Sequence, residues 1–391
     1  MTWIYAVLHF LTDSLCAFSM FFYFRTSPHW YLYLLYYNFC AFALQMPLGA
    51  MMDLLRVRLR ERRSLLHALC ASAGLLLTVA GCFTHPVILG LGNSLFHVGG
   101  GIGTMDEDRE KDRKGSLLGI FVSPGAIGLF LGTAAGKAVS RTGYLAGTAL
   151  FAVLFIFGSL LLIGKARRKD RLLSAFFQKQ NTSGQEKTAA VSGPIKTAEG
   201  LDRRFPDDVP ETAPDKISEK TYEGFSADRK TVLAVLLLFS VVVIRSYTGM
   251  AGSFSWKTGF LSGLLAVLCV AGGKTAGGFF AARFGIRKTM LITLGLSAVF
   301  YALPQHMIFG LPALLFFNMT MPVTLYMLAD RLEDIPGFSF GLLTLALFLG
   351  FFPVWLEKTL PLPTRVLGPV MSLLSLAFML LAYRLLDRKR L

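Results

Sequence analysis

The N-terminal stretch of the chain places a histidine and a carboxylate within one helical turn of each other. His9 and Asp13 are four residues apart in the apolar run MTWIYAVLHFLTDSLCAF, so a helix would bring both side chains onto one face. A charge at membrane depth is costly unless it meets a partner or a cavity, which makes both residues functional candidates. Asp13 is either a structural partner for a cation or a proton carrier that becomes neutral when its site closes off from water.

A second histidine lies in the apolar segment GLGNSLFHVGGG, next to the three glycines at 99–101. Imidazole titrates near neutral pH, so His97 is a further proton-coupling candidate; the equal alternative is a structural hydrogen bond to a neighbouring helix. The glycines allow either close helix packing or local unwinding that lines a cavity. We therefore predict that His9, Asp13 and His97 couple protons along a polar, deformable translocation path.

Arg245, in the segment VVVIRSYTG, is the first candidate for substrate binding. Its planar guanidinium matches a phosphate or carboxylate, but a structural pair with Asp13 across the molecule is an equal alternative. Polar side chains in other apolar segments are further candidates, although such residues more often bond helices to one another than bind a ligand. They are Asn38, Asn93, Asn318 and Tyr37.

Apolar runs of about 20 residues must position these side chains, and they recur along the whole chain. Hydrophobic residues make up 54% of the 391 residues, and the mean hydropathy is +0.56. We predict an all-α polytopic membrane protein with about 12 transmembrane helices. The predicted spans are 3–24, 29–52, 64–83, 86–104, 116–137, 143–164, 230–250, 258–281, 289–303, 307–329, 336–357 and 364–386.

A polar segment at 165–229 divides the spans into two sets of six. It mixes charges of both signs with Ser, Thr, Pro and Gly, a composition that buries too little apolar surface to offset the entropy of ordering. The predicted domains are an N-terminal six-helix bundle at 1–164, a cytoplasmic and largely disordered linker at 165–229, and a C-terminal six-helix bundle at 230–391.

The charge distribution predicts the orientation in the membrane. The net charge of +15 is concentrated in alternate loops, those after the second, fourth, sixth and eighth spans. Cytoplasmic loops of membrane proteins carry such an excess of Lys and Arg, so both termini and the linker are predicted to be cytoplasmic in an inner or plasma membrane. This reading accounts for the basic charge without nucleic acid as a partner.

Two short sequence matches indicate that the halves are repeats. The segments QMPLGAMMD at 45–53 and KTAGGFFAARFGIRK at 274–288 align Gly49 with Gly278. The segments NSLFHV and NMTMPV align Asn93 with Asn318. Both pairs fall at equivalent spans of the two halves.

With these segments the chain resembles the major facilitator superfamily, whose signature between spans two and three is roughly G-x-x-x-D-R-x-G-R-[KR]. The first copy, GAMMDLLRVRLRERR, lacks the Arg that should follow Asp53, and the second copy, GFFAARFGIRK, has Ala282 in place of the acid. The resemblance implies two six-helix bundles around a central cavity with alternating access. It also implies a cytoplasmic gate in which Asp53 pairs with a basic residue such as Arg113 and with a helix N-terminus. The gating residues carried over are Gly49, Asp53, Arg113, Gly278, Arg283, Gly285 and Arg287.

Two narrower likenesses concern spans four and five. GLGNSLFHVGGG is similar to the span-four FHP-G signature of fosmidomycin-resistance-type efflux carriers, with Val98 in place of Pro. GIFVSPGAIGLFLGTAAG resembles the span-five motif of proton-coupled exporters. Pro124, Gly125 and Gly128 are therefore expected to bend this helix, although glycines at four-residue spacing equally indicate close packing.

The sequence contains no Walker A loop, nucleophile elbow, dinucleotide fingerprint or metal-ligand cluster, so we expect neither an enzyme nor a cofactor or metal. The predicted function is a secondary active transporter that exports a small organic molecule or drug in exchange for protons, with the proton gradient as its energy source. The alternatives are proton-coupled uptake of a small organic anion and a non-transporting membrane sensor or scaffold. Predicted partners are the substrate, protons and the lipid bilayer, and we expect a monomer.

Overall fold

The part of the chain that the structure describes folds into twelve main helices, which correspond one to one to the twelve predicted spans. The computed structural model describes residues 1–191 and 228–387, with side chains for 1–175 and 228–386, so residues 192–227 of the predicted linker lie outside the described residues. All regular secondary structure in those ranges is helical. The helices are α1 Thr2–Phe22, α2 Trp30–Arg58, α3 Arg63–Gly81, α4 Pro86–Glu110, α5 Ser116–Ala138, α6 Arg141–Val191, α7 Arg229–Ala251, α8 Phe260–Phe284, α9 Ile286–Tyr301, α10 Met307–Arg331, α11 Pro336–Trp355 and α12 Thr364–Asp387.

Ten helices in the described ranges are long and apolar enough to cross a membrane. The remaining two are α4 and α9. Helix α9 has only 16 residues, and α4 contains Asn93, His97 and several glycines, which lower its hydropathy. The chain is therefore an all-α, multi-pass membrane protein in which two spans are positioned by packing more than by their own hydropathy.

Helix α6 is longer than predicted. The sequence placed the start of the linker at residue 165, whereas α6 continues to Val191. Two side chains fasten this extension: Asp170 accepts hydrogen bonds from the amides of Ser64 (3.2 Å) and Leu65 (2.9 Å), and Lys169 pairs with Glu110 at 2.6 Å. A carboxylate at a helix N-terminus satisfies free amides and favours the helix dipole, so the extension caps α3.

Three helices depart from regular α-helix at mid-span. Helix α2 contains a π-helical segment at Phe39–Ala43. Helix α5 stops at Val122 and restarts at Pro124, because proline lacks an amide hydrogen and its ring displaces the carbonyl four residues earlier. Helix α10 is interrupted at Met319. The breaks in α5 and α10 leave backbone carbonyls for other partners.

The glycines of α5 form a packing stripe. Added Cβ atoms at Gly128, Gly132 and Gly136 would overlap the carbonyl oxygens of Phe10, Ser14 and Phe18 in α1, respectively. Four-residue spacing repeats about every helical turn, so these positions let the backbones of α1 and α5 touch. The bend in α5 occurs at Ser123 and Pro124, while Gly128 serves close packing.

The three glycines of α4 do not unwind the helix, which is continuous from Pro86 to Glu110. An added Cβ at Gly99 would overlap the His67 carbonyl of α3, and one at Gly101 would overlap the ring of Phe340 in α11. Of the two predicted roles, close packing is the one observed.

The two halves meet through pseudo-symmetric contacts. The backbone of Gly49 in α2 touches Gly337 at the start of α11, and that of Gly278 in α8 touches Gly115 just before α5. We call the end that carries the Lys- and Arg-rich loops the basic end, and the other the opposite end. The predicted sequence repeat therefore corresponds to equivalent contacts between halves.

Candidate functional site

A polar cluster from α1 and α4 lies at mid-span in the N-terminal half. Asp13 accepts a hydrogen bond from Asn93 Nδ2 at 3.0 Å, and its other oxygen is 3.2 Å from His9 Nε2. His97 Nε2 lies 2.8 Å from His9 Nε2. The two imidazole side chains are buried, whereas 20% of the Asp13 side-chain surface is exposed. We name His9, Asp13, Asn93 and His97 the carboxylate–imidazole cluster.

Backbone carbonyls fix the tautomers of both rings. His9 Nδ1 is 2.6 Å from the carbonyl oxygen of Phe121, which the break in α5 leaves free. His97 Nδ1 is 2.8 Å from the carbonyl oxygen of Asn93. A carbonyl only accepts hydrogen bonds, so each Nδ1 must carry a hydrogen.

This arrangement requires one additional proton in the cluster. Two neutral rings protonated at Nδ1 would point the lone pairs of their Nε2 atoms at each other across 2.8 Å. A proton shared between the Nε2 atoms removes that repulsion, and the adjacent carboxylate of Asp13 compensates its charge. The geometry of the cluster therefore fits one proton shared between the two Nε2 atoms.

The same three titratable residues bring one ligand atom each within 4.8 Å of one another, as a metal site would. Two ligands of a tetrahedral zinc ion with bonds of about 2.0 Å would lie about 3.3 Å apart. The His9 and His97 Nε2 atoms are closer than that, at 2.8 Å, a distance that fits a shared proton.

Two more side chains border the cluster. The Cys16 thiol, one turn beyond Asp13, accepts from Asn93 Nδ2 at 3.6 Å and interacts with the Tyr37 hydroxyl. Both Cys16 and Tyr37 are buried. Tyr37 and Asn93, predicted as substrate ligands, thus lie beside the predicted proton-coupling residues.

Arg245 occupies the C-terminal half without an acidic partner. It is 7% exposed, and Nη1 makes only long contacts, 3.3 Å to Thr324 and 3.5 Å to Thr320, at the break in α10. Within the described ranges, no carboxylate lies within ion-pair distance of its guanidinium. The predicted Asp13–Arg245 pair is therefore corrected: the ionic partners of Asp13 are the two histidines of its own half.

Lys274 of α8 was not among the site residues predicted from the sequence. Its ammonium contacts the Val122 carbonyl at the break in α5, at 3.4 Å, and it interacts electrostatically with both Asp13 and Arg245. The adjacent Thr275 donates to Ser123 at 2.8 Å. The repeat alignment could have indicated that Lys274 lies inside the molecule, because it pairs Lys274 with Gln45. Gln45 is completely buried in α2.

Asn38 and Asn318 each bond to their own helix. Their Nδ2 atoms donate to the carbonyls of Leu34 at 2.7 Å and Leu314 at 2.8 Å. This local bonding contrasts with Asn93, which donates to another helix. The role of both as substrate ligands stays a prediction.

The gate at the basic end consists of one carboxylate and one helix N-terminus. Asp53 accepts hydrogen bonds from the amides of Gly337 at 2.8 Å and Phe338 at 2.7 Å, the first turn of α11. Its cationic neighbour is Arg56 at 3.7 Å. Arg113, the expected partner, is exposed and makes no ion pair with described residues, which corrects that assignment.

The second copy of the motif has Ala282 where the first copy has Asp53. Gly278 touches Gly115, and Gly285 begins α9 with φ of +83°, a conformation that favours glycine. Arg283 and Arg287 are exposed. The N-terminus of α5 is capped instead from its own half by Asp108, which accepts from the amides of Gly115 (2.7 Å) and Leu117 (2.8 Å).

Aromatic side chains close the opposite end. Tyr31 of α2 and Trp355 of α11 stack with ring centroids 4.2 Å apart, and each donates a side-chain hydrogen bond to the other's backbone carbonyl. Phe130 of α5 packs on Phe260 of α8 at 5.4 Å. Because the halves also touch at the basic end, the central residues are enclosed from both sides.

A cavity of about 2250 Å³ lies at the basic end. Charged side chains of both signs line it, among them Arg56, Arg63, Asp106 and Lys169. None of the residues of the carboxylate–imidazole cluster, nor Arg245 or Lys274, contributes to its wall. It is a vestibule outside the closed gate.

Comparison with known proteins identifies the fold. No family model matches the chain, and no curated protein matches it. Among solved structures, the major facilitator superfamily transporter FucP in its outward conformation matches with 11% identity and a TM-score of 0.54, covering 98% of this chain and 97% of that chain. A structure of the E. coli fucose:proton symporter FucP matches with 12% identity and a TM-score of 0.54, covering 98% and 96%. The chain therefore has the major facilitator fold of two six-helix bundles; the narrower likeness to fosmidomycin-resistance-type carriers has no support among these matches.

Proposed function

We propose that this protein is a proton-coupled secondary transporter of a small organic molecule that works by alternating access. The observation that carries the proposal is the pair of Nε2 atoms of His9 and His97, 2.8 Å apart beside Asp13, which requires a shared proton. A half-buried carboxylate and two buried imidazoles at mid-span are costly to maintain, and transport gives them a role.

Coupling follows from the position of the cluster against the break in α5. His9 bonds to the Phe121 carbonyl, and the next carbonyl, Val122, receives Lys274 from the other half. Loss of the proton leaves two lone pairs facing each other, so the rings must separate and His9 pulls on α5. Protonation thereby biases one arrangement of the halves over another, which is the requirement for coupling.

The exchange of substrate for protons, and hence export, remains the direction proposed from sequence. A second candidate, uptake of a small organic anion together with protons, is favoured by the two central cations without carboxylate partners, Arg245 and Lys274. A sensor or scaffold on the same fold would give the shared proton no role.

The test uses inverted membrane vesicles, an imposed proton gradient and a pH-sensitive dye, with a panel of organic acids, neutral sugars and organic cations. A compound that moves protons in wild-type vesicles should fail to do so with Asp13→Asn. Asp112→Asn is the matched control, because Asp112 is a loop carboxylate with 83% of its side-chain surface exposed. A compound response that survives Asp13→Asn unchanged would remove the cluster from the coupling mechanism, and no response to any class would count against transport.

A further inference from the structure

The central cations of the C-terminal half have no anion among the described residues. Arg245 is 7% exposed and contacts only two threonine hydroxyls, at 3.3 and 3.5 Å. Lys274 contacts one backbone carbonyl, at 3.4 Å. Arg245 is buried and Lys274 is half-buried. Buried charges in proteins are ordinarily paired, so two cations that interact with each other and lack a carboxylate indicate a missing negative partner.

Asp13 cannot supply that negative charge. Its two oxygens are engaged by Asn93 and His9, and His97 lies at 3.8 Å. The shared proton of the two imidazoles already compensates its charge. The carboxylate–imidazole cluster is therefore close to neutral as a unit, and Arg245 and Lys274 retain about two positive charges between them.

We propose that Arg245 and Lys274 form an anion-binding site, and that the transported molecule is a small organic anion with a carboxylate or phosphoryl group. Calling this anion the substrate rests on the proposed transport function, whereas the binding site does not. Arg245 supplies parallel N–H donors for two oxygens, Lys274 adds a point charge, and the hydroxyls of Thr320 and Thr324 lie beside the guanidinium.

The positions of the charges in the internal repeat support this assignment. The carboxylate–imidazole cluster comes from α1 and α4, and Arg245 with its two threonines comes from α7 and α10, the equivalent helices of the second half. Lys274 of α8 contacts the break in α5 of the other half and interacts electrostatically with both Asp13 and Arg245. An anion held there would bridge the halves, and it would attract the proton in the cluster rather than compete with it.

The attraction between the anion and the proton bears on whether the two cross the membrane in the same direction. Binding of the anion and of the proton should strengthen each other by the same factor, since coupling free energies are reciprocal. Two ligands that favour each other's binding are carried across together. The anion site therefore favours co-transport with protons over the exchange predicted from sequence.

Thermal unfolding of the purified full-length protein in detergent tests the site without knowledge of the natural substrate. The probes are benzoate and methylphosphonate, with benzamide as the uncharged analogue of benzoate. At least one of the two anions should raise the wild-type melting temperature where benzamide does not. Arg245→Gln and Lys274→Gln should each lose that shift, and Arg245→Lys should keep part of it.

Arg141→Gln and Lys257→Gln are the matched controls, because both residues are exposed at helix ends or loops. They should keep the full shift. Equal shifts by benzoate and benzamide, no shift with either anion in wild type, or an anion shift that persists in both central variants would each overturn the anion site.

Proton movement separates this inference from the proposed function. Methylphosphonate imposed as a gradient across vesicles should carry protons in its own direction, and protein-free vesicles should show no such movement. An anion-dependent melting shift without proton movement for any compound would leave the site standing and defeat transport. Proton movement triggered only by uncharged or cationic compounds would leave transport standing and defeat the assignment of the anion as the substrate.

Discussion

At the scale of single residues, the centre of the molecule contains charges that stabilise the protein only when their partners are present. Asp13 obtains its partners from its own half, through Asn93 and the two imidazoles. Arg245 lacks a charged partner among the described residues. The difference separates the two groups: the geometry of the first fits a shared proton, and the second has no negative partner among the described residues.

Replacing His97 should uncouple transport while leaving the fold intact. In the wild-type protein the Nε2 atoms of His97 and His9 are 2.8 Å apart. The glutamine of His97→Gln keeps a donor and an acceptor but cannot share a proton with His9. We expect proton-coupled flux to fall by at least about tenfold, equivalent to ~1.4 kcal/mol. Dye-based proton flux in vesicles measures this. His29→Gln is the control because His29 is exposed, and equal loss in both variants would contradict the prediction.

Removing the guanidinium of Arg245 should stabilise the protein against unfolding. Arg245→Met keeps an unbranched side chain of similar length and eliminates a buried charge without an acidic partner, which we expect to add roughly 1–3 kcal/mol to the free energy of unfolding. The measurement is the melting temperature in detergent without added anion, with exposed Arg141→Met as the control. A lower melting temperature for Arg245→Met than for wild type would show that the guanidinium is fully satisfied in the protein.

The sequence predicted the N-terminal cluster better than its counterpart, for a physical reason. His9 and Asp13 lie on one helical turn, so local periodicity alone brings them together. Lys274 could not be placed in this way, because the depth of a residue near the end of an apolar run depends on where the helix begins and on which carbonyl accepts from it. That carbonyl, of Val122, belongs to the other half and is free only because α5 breaks at Ser123.

At the scale of elements, α5 connects the two groups of charges. Its break leaves the Phe121 carbonyl to His9 and the Val122 carbonyl to Lys274. Pro124 cannot donate to Ile120, and the amide of Ala126 donates to Ser123 rather than to Val122. The sequence indicated a bend from Pro124 and Gly125. It did not indicate the use of the freed carbonyls, since hydrogen-bond partners across 112 and 152 residues require the tertiary structure.

Gly125 makes room for the cluster, and filling that room should stop coupling. An added Cβ would overlap His9 Nε2 and Asp13 Oδ2, so Gly125→Ala should push both groups off their present positions. Alanine favours a helix over glycine by about 1 kcal/mol, so a loss of flux could not be attributed to helix propensity. The matched control is Gly164→Ala, which meets nothing within 4 Å. Normal proton flux in Gly125→Ala would show that the cluster tolerates displacement.

At the scale of the whole molecule, the two halves contact each other at both ends, through different kinds of interaction. The basic end relies on a carboxylate of α2 at the N-terminus of α11, and the opposite end on stacked Tyr31 and Trp355. The sequence predicted the helix count and the motif glycines. It did not predict that Asp53 would be held by two amides 284 and 285 residues away, because contacts between halves leave no local periodicity.

These two closures should control access to the central residues from opposite sides of the membrane. The thiol of Cys16 can report that access through its rate of labelling. Cys16 is completely buried beside the cluster. In a protein whose other cysteines (Cys40, Cys70, Cys82 and Cys269) are replaced, Asp53→Asn should weaken the basic-end gate by roughly 1.5–3 kcal/mol through loss of charge-assisted hydrogen bonds. Trp355→Ala should weaken the opposite gate through loss of the ring stack and its indole hydrogen bond.

The measurement is the rate at which a membrane-impermeant maleimide labels Cys16 in intact cells and in inverted vesicles. With the predicted orientation, Asp53→Asn should speed labelling in inverted vesicles and Trp355→Ala in intact cells, whereas Asp112→Asn should do neither. The opposite pattern would reverse the assigned orientation of the chain. Faster labelling from both sides in either single variant would contradict alternating access, because opening one end should favour closure of the other in a protein that rocks about its centre.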